Sequence, residues 1–343
     1  ASIIMLSVGH TVDHKPVKKV TAFTVLSLGL SSILLGLSYH IAILFVALIG
    51  LRLCGQGLMS HISMTIISKY FDKNRGKALS ISSLGYSMGE AIFPIIITSI
   101  IAFFDWRMAA IISGIALLLY LIRLKFTNLI AFDKQLSTEG KPSTWLLLKD
   151  YKSVVSDKRF GIMMPASFIL GFTNTAIFFY QYVFVEDKGW SPQLYATFFT
   201  VYAISRFIFS LVGGTWVDKF TAKKMFRIYL IPMTLGLIPF ALMDSIIGAL
   251  LFLITAGITG GMAGTVKTSL IAEIYGTEKM GAIRSVFTMF MVISTALGPL
   301  LVGFMIDGGL DFSTIILVIF AAMLLININS QRIKNISKKA SPL

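Results

Sequence analysis

Long apolar runs follow one another along the chain, separated only by short polar breaks. Residues 1–8 end one such run, and further runs cover 20–38, 41–68, 78–103, 107–125, 160–185, 192–216, 224–242, 246–272, 281–305 and 312–330. Each is about as long as a helix that crosses a bilayer, roughly 17–25 residues. The pattern therefore predicts an all-α polytopic membrane protein with ten complete spans.

Composition agrees with this prediction. Hydrophobic residues make up 56% of the 343 residues and charged residues only 13%, whereas about a quarter of a soluble domain is charged. The mean hydropathy is +0.82. The single cysteine, Cys54, lies within an apolar run and excludes a disulfide within the chain.

The basic residues lie mainly on one side of the predicted membrane. Alternate loops and the C-terminal tail hold 25 of the 30 Lys and Arg residues, while the opposite loops hold only Lys188 and Arg107. Basic loops remain in the cytoplasm, so we expect the C-terminus there, in a plasma membrane such as the bacterial inner membrane. The net charge of +14 then reflects topology and contact with lipid, with no role in binding nucleic acid.

A short motif occurs twice in the chain. Gly9, Asp13, Lys18 and Lys19 recur 205 residues later as Gly214, Asp218, Lys223 and Lys224, and the same offset relates Gly76 to Gly281 and Pro94 to Pro299. Repeated half-structures are typical of secondary transporters. The repeat predicts a helical bundle at 1–125, a cytoplasmic linker with an interfacial helix at 126–158, a six-helix bundle at 159–330 and a tail at 331–343.

These residues resemble the major facilitator superfamily. The resemblance rests on the doubled motif, on "RLCGQG" at 52–57, and on "YFDKNRGKALSISSLGYSMG" at 70–89, which is similar to monocarboxylate and oxalate/formate carriers. It implies two pseudo-symmetric bundles that alternate access to a central site. Relative to the family's twelve spans, we expect the first span and most of the second to be missing from this sequence.

The doubled motif predicts a gate. Asp13 and Asp218 each end a helix, where a carboxylate is poorly placed, but either would be stabilised at the N-terminus of another helix. We expect Asp13 to face the helix that starts near Gly281, and Asp218 the helix that starts near Gly76. The two motifs would then hold the halves together and release them during transport. The alternative is a pair of ordinary solvated loops.

Three basic residues fall inside predicted spans, where ionisable groups are costly and often functional. Arg206 is the main candidate for binding an anionic substrate, with a salt bridge inside the protein as the alternative; many monocarboxylate carriers have an Asp one turn earlier, where this chain has Tyr202. Arg52 is a candidate for ligand binding or for ordering helices. Lys267 is a candidate ligand, or a lysine that extends to the membrane surface or pairs within the protein.

Other candidates are polar or acidic. Glu90 lies deep in its span, where desolvation favours a protonated carboxyl group, so it is a candidate proton carrier; the alternative is that it pairs with Arg52 or another buried donor and does not titrate during transport. Asn174, Tyr180 and Gln181 lie in the span where carriers of this type receive substrate.

These features predict a secondary active transporter for a small organic anion, coupled to protons and acting as a monomer. The alternatives are an efflux carrier for amphipathic compounds and a non-transporting receptor or scaffold of the same fold. The sequence has no phosphate-binding loop, nucleophile motif or metal-spaced cluster, so we expect neither an enzyme nor a cofactor or metal.

Overall fold

The computed structural model of the protein describes residues 2–133 and 151–335, apart from the side chains of Ser2, Ile3, Leu6, Ser7, Glu90, Ala91, Pro94, Lys334 and Asn335. Secondary structure in these ranges is helical, without strands. Nine described helices are long and apolar enough to cross a membrane, and the helix of the remaining predicted span has 29 residues. The prediction of an all-α membrane protein is confirmed.

The first half contains α1 (Ser2–Gly9), α2 (Val17–Gly36), α3 (Ile41–Tyr70), α4 (Arg75–Phe103) and α5 (Trp106–Phe126). The second half contains α6 (Phe160–Asp187), α7 (Pro192–Phe220), α8 (Ala222–Leu242), α9 (Ile247–Tyr275), α10 (Met280–Asp307) and α11 (Phe312–Gln331). We call the membrane side that carries the α3–α4, α7–α8 and α9–α10 loops the basic face.

Short polar residues start the helices on the side opposite the basic face. Asp105 accepts a hydrogen bond from the Met108 amide at 2.7 Å, and Asp311 accepts one from the Thr314 amide at 3.1 Å. Such caps satisfy amides that a helix leaves unpaired in its first turn, each contributing about 1 kcal/mol. The polar breaks in the sequence are therefore the points where one membrane helix ends and the next begins.

The start of the predicted linker packs on the first half. In the short helix Ile130–Asp133, the Asp133 carboxylate accepts a hydrogen bond from the Val17 amide at 2.8 Å and so caps α2. The Phe132 ring lies 4.8 Å from that of Tyr70. Linker residues 134–150 lie outside the described residues, and 151–155 are helical.

Small residues allow the helices within each half to approach closely. A methyl group added to Gly114 on α5 would lie 2.6 Å from the Gly29 carbonyl oxygen on α2. At the crossing of α2 and α3, Gly50 faces the Ser31 hydroxyl; at the repeat-related crossing of α8 and α9, Gly236 faces the Thr255 hydroxyl. In the first half the glycine is on the second helix of the pair, and in the second half it is on the first. The close contact between glycine and hydroxyl is the same in both. Close packing of this kind drives association of membrane helices.

One segment of α3 departs from α-helical geometry. Residues Arg52–Met59, with the sequence RLCGQGLM, form a π-helical turn within the otherwise continuous helix. The apolar pattern did not predict it, because one extra residue per turn does not change the hydrophobicity of a span. Such turns are frequent at functional sites, and this one carries Arg52 and Gln56 into the cavity described below.

The Gly29–Gly114 contact makes a prediction about stability. We expect Gly114→Ala to lower stability by about 1–3 kcal/mol, because the methyl group would push α2 away from α5. Gly85→Ala is the matched control, since a methyl group there meets no atom within 4 Å. Thermal unfolding in detergent would measure both variants, and equal melting temperatures would show that the close contact contributes nothing.

Candidate functional site

A cavity of about 710 Å³ lies between the two halves. Helices α3 and α4 line it from one half, and α6, α7, α9 and α10 from the other. Its polar lining residues are Arg52, Gln56, Ser60, Ser83, Tyr86, Ser87, Asn174, Thr175, Tyr202, Arg206, Ser210, Lys267 and Thr295. Both halves therefore contribute polar groups to one central space.

The cavity is open on the side opposite the basic face. Two of its lining side chains, Tyr86 and Phe179, are 58% and 70% exposed. Hydrogen bonds join the halves from the basic face up to Arg52 and Thr295, near the middle of their helices. The structure is thus a state closed at the basic face and accessible from the other side.

Arg206 projects from α7 into the cavity. Its guanidinium donates a hydrogen bond to the Tyr202 hydroxyl at 2.8 Å and lies 4.9 Å from the centre of the Tyr86 ring on the other half. A methyl group added to Gly261 on α9 would meet the Arg206 carbonyl oxygen at 2.5 Å. The glycines of α9 thus let its backbone lie against α7, and the guanidinium faces the cavity between a phenol hydroxyl and an aromatic ring.

Arg52 joins the halves across the cavity. Its guanidinium donates a hydrogen bond of 2.6 Å to the Thr295 hydroxyl on α10. The adjacent lining residue Gln56 has a buried side-chain oxygen without a hydrogen-bond partner among the described residues. Arg52 is therefore positioned both to link the halves and to reach a ligand, so the two roles considered from the sequence remain compatible with its position.

The candidates on α6 separate into two groups. Asn174 lines the cavity, and its buried side-chain oxygen has no hydrogen-bond partner in the described part of the chain. Tyr180 and Gln181 are not among the lining residues. Tyr180 lies on another face of α6, where its hydroxyl packs near Gly303 of α10. Gln181 is two turns farther along than Asn174, toward the open side; its buried side-chain oxygen also has no hydrogen-bond partner among the described residues, and its role stays a prediction.

The charged side chains that line the described cavity are all basic: Arg52, Arg206 and Lys267. Lys267 has no hydrogen-bond or ion-pair partner in the described ranges, and Glu273, near the end of α9, instead accepts a hydrogen bond from the Ala222 amide at 3.1 Å. The side chain of Glu90 lies outside the described residues, so its role stays a prediction. The described lining is positively charged and suits an anion.

At the basic face, Asp13 lies against the start of α10. Its carboxylate accepts hydrogen bonds from the amides of Gly281 and Ala282, both at 3.0 Å, and pairs with the Lys69 ammonium at 2.8 Å. Asp13 is only 2% exposed. We call this buried set the Asp13 contact; it joins the two halves as the repeat predicts.

Asp218 makes the repeat-related contact with the start of α4. Its carboxylate accepts hydrogen bonds from the amides of Gly76 and Lys77 at 2.8 and 2.9 Å. About two helical turns deeper along α4 and α7, Ser83 and Ser210 share a hydroxyl–hydroxyl contact of 2.5 Å. Asp218 is exposed, and no described lysine or arginine forms a salt bridge with it. This Asp218 contact therefore has the same backbone geometry as the Asp13 contact without its buried cation.

Some predicted gate residues lie elsewhere. Lys18 donates to the Lys125 carbonyl within its own half, while Lys19 and Lys224 are exposed. Two residues that the sequence placed in basic loops are instead part of the closed interface. Lys69 lies in the last turn of α3 beside Asp13, and Arg284 on α10 donates to the His61 carbonyl at 3.1 Å. Both lie close to span ends, where hydropathy does not separate a loop from a buried turn.

Comparison with known proteins agrees with this architecture. The family model described as Major Facilitator Superfamily matches residues 1–299. The chain is 26% identical over 146 residues to a Multidrug resistance protein B homolog of Mycobacterium tuberculosis, covering 43% of this chain and 27% of that protein. It is 24% identical to Monocarboxylate transporter 13 of Bos taurus, over 74% of this chain and 58% of that protein. The matched stretches thus span about a quarter and somewhat over half of those two relatives.

Solved structures show the same fold at low sequence identity. The Escherichia coli fucose:proton symporter FucP has a TM-score of 0.74 at 15% identity, covering 96% of this chain and 87% of that chain. The human organic anion transporter MFSD10 has a TM-score of 0.71 at 13% identity, covering 95% and 80%. A bacterial homologue of the iron transporter ferroportin, in an outward-facing state, has a TM-score of 0.70 at 15% identity, covering 98% and 87%.

The difference between the two aspartate contacts makes a prediction. We expect Asp218→Asn to favour opening at the basic face with little loss of stability, because only hydrogen bonds to amides weaken. Asp13→Asn should also lower stability by about 3–5 kcal/mol, since it leaves the buried Lys69 ammonium unpaired. Asp13→Asn combined with Lys69→Met should recover much of that loss.

Thermal unfolding would measure the stabilities. Opening would be followed by cysteine labelling from the basic face at Ser80→Cys, which is 1% exposed, in a Cys54→Ala background. The exposed Phe179→Cys reports the other side. If Asp13→Asn and Asp218→Asn lower the melting temperature equally, the buried ion pair does not distinguish the two contacts.

Proposed function

The chain belongs to the major facilitator superfamily of membrane transporters, and we propose that it moves a small organic anion, of the carboxylate class, by alternating access. The observation that carries this proposal is the cavity between the halves, whose described charged lining residues are Arg52, Arg206 and Lys267. A cavity with this lining attracts anions and disfavours cations. The carboxylate assignment is further supported by the likeness to Monocarboxylate transporter 13.

Arg206 is the proposed primary contact with the substrate. A guanidinium presents a rigid planar fork that can donate two parallel hydrogen bonds to one carboxylate. Its bond to Tyr202 at 2.8 Å holds the side chain in the cavity. The rings of Phe178 and Phe179 line the same space and would contact the organic part of the substrate.

The Asp13 and Asp218 contacts supply the proposed gate. With the basic face in the cytoplasm, as the distribution of Lys and Arg favours, the present state receives substrate from outside the cell or from the periplasm. Rocking of the halves would break four amide–carboxylate bonds at the basic face and open the cavity there. Charge-assisted hydrogen bonds contribute about 1.5–3 kcal/mol each, so substrate binding must offset several kcal/mol by favouring the other state.

Proton coupling is assigned to Glu90. It follows the lining residue Tyr86 by four residues on α4, one turn farther toward the open side. A carboxyl group at that depth can bind a proton from the open side and release it on the other, which would link transport to the proton gradient. The absence of an Asp at position 202 makes Glu90 the main candidate for this role.

A second candidate function is efflux of amphipathic compounds. Relatives named as multidrug resistance proteins favour it, and so do the lining residues Leu170, Phe178 and Met291. The charge of the preferred ligand distinguishes the two functions. Basic residues in the cavity would not help an exporter of organic cations, so the described lining favours the anion carrier. A non-transporting receptor would bind a ligand without moving it across the membrane.

The first test is substitution of Arg206. In proteoliposomes assayed by counterflow with labelled carboxylates, Arg206→Lys should weaken apparent affinity about tenfold, because the charge remains and the fork is lost. Arg206→Ala should lose anion uptake. Arg107→Lys is the matched control, since Arg107 lies outside the cavity between the rings of Tyr39 and Trp106. Normal carboxylate affinity in Arg206→Ala would refute the proposed substrate class.

The second test separates proton coupling from transport. Glu90→Gln should abolish accumulation driven by a pH gradient while sparing exchange of substrate for substrate, because exchange needs no net proton movement. Glu186→Gln, at the exposed end of α6, is the control. Loss of accumulation and exchange together would assign Glu90 a structural role instead.

A further inference from the structure

Lys267 occupies the end of the cavity nearest the basic face. It follows Gly260 by seven residues, which is two turns, so both lie on one face of α9 about 10 Å apart. Gly260 lies beside Arg206: a methyl group there would be 3.8 Å from the Arg206 Nε atom. A helical side chain leaves its backbone toward the N-terminus of the helix, which for α9 is the open side. Lys267 therefore extends into the cavity, away from the membrane surface.

The surroundings of Lys267 in the described structure contain no acidic partner. Glu273 lies six residues further, on another face of α9, and is occupied in capping α8. The next basic group, Arg284, donates to two neutral acceptors, the His61 carbonyl at 3.1 Å and the Thr65 hydroxyl at 3.3 Å. A cation inside a membrane is costly without a compensating charge or water, so this end of the cavity carries unbalanced positive charge.

Neither Lys267 nor its basic neighbour Arg284 has a basic counterpart at the repeat-related position of the first half. The residue related to Lys267 by the 205-residue offset is Ile62, which is 5% exposed and packs in the apolar core of the first half. The residue related to Arg284 is Leu79, which is fully buried. Neither cation is therefore required by the architecture that the two halves share, which favours a role in binding.

We propose that Lys267 forms a second anion subsite at this end of the cavity, separate from Arg206. Its ligand is an anionic group, supplied either as a second acidic group of the substrate or as a free inorganic anion. Gln56 and Ser60, which line the same cavity, offer an amide and a hydroxyl for further hydrogen bonds. This inference rests on the proposed function, in which a first carboxylate binds Arg206 about two helical turns away.

The test compares ligands that differ by one carboxylate. Succinate and butyrate share a four-carbon skeleton, and their affinities for the purified protein would be measured by calorimetry with and without sodium chloride. The variant is Lys267→Met, an apolar replacement of similar length, and the exposed Lys219→Met is the matched control. Melting temperatures would verify folding; removing a buried charge should leave the melting temperature of Lys267→Met unchanged or higher.

If the substrate supplies the second anion, succinate should bind the unmodified protein at least tenfold more tightly than butyrate. Lys267→Met should abolish this preference, because it weakens binding of succinate at least tenfold more than binding of butyrate. If a free anion fills the subsite, butyrate affinity should depend on chloride in the unmodified protein and not in Lys267→Met. The inference is overturned if Lys267→Met matches the unmodified protein in both respects.

Failure of the proposed function gives a different result. In that case neither carboxylate binds and Arg206→Ala changes nothing. The subsite would then be judged by chloride alone, which should raise the melting temperature of the unmodified protein and leave that of Lys267→Met unchanged. An equal response of the two proteins to chloride would overturn the subsite independently of the substrate.

Discussion

Two carboxylates that bind backbone amides across the interface set the shape of this structure. Asp13 and Asp218 each sit at the end of one helix and accept hydrogen bonds from the first amides of a helix in the other half. The positive end of a helix stabilises a carboxylate only over about one turn, so the contacts exist while the helix ends touch. These short-range contacts close the basic face, and they therefore determine that the cavity is reached from the opposite side.

The Asp13 and Asp218 contacts have the same backbone geometry but differ in the charges around the carboxylate. Gly9 of the first half packs against Ser285 of the second, and Gly214 of the second half packs against Ser80 of the first. The 205-residue offset relates the two glycines to each other and the two serines to each other. The cation Lys69 has no such counterpart, because the equivalent position is the apolar Ile274. The Asp13 carboxylate is therefore buried and paired with a lysine of its own half, whereas the Asp218 side consists of hydroxyl groups and an exposed carboxylate. Opening at the basic face breaks the amide–carboxylate bonds of both contacts and leaves the ion pair between Asp13 and Lys69 within the first half.

The sequence predicted those features that hydrophobicity and repetition encode. The ten helices follow from the apolar runs, and the partners of Asp13 and Asp218 follow from the repeat together with helix electrostatics. The π-helical turn at Arg52–Met59 was missed because it changes the rotation of a helix without changing its composition. Lys69 and Arg284 were assigned to loops because charge near a span end indicates a boundary, while their burial depends on a neighbouring half that local sequence does not specify.

The charges that line the cavity are among those that the repeat does not explain. Arg206 and Lys267 belong to one half only, and Arg52 crosses to Thr295 in the other. Lys267, which has no ion-pair partner among the described residues, would cost several kcal/mol in a helical bundle surrounded by lipid unless water or an anion reached it. A state open to one side admits that water, whereas a state closed on both sides would require a counter-charge near Lys267. An anionic substrate would supply that counter-charge, so this cation would attract the substrate and also oppose passage of the empty protein through the closed state. The preference for an anionic substrate, and the dependence of the conformational change on bound substrate, would then both result from the positive charge in the cavity.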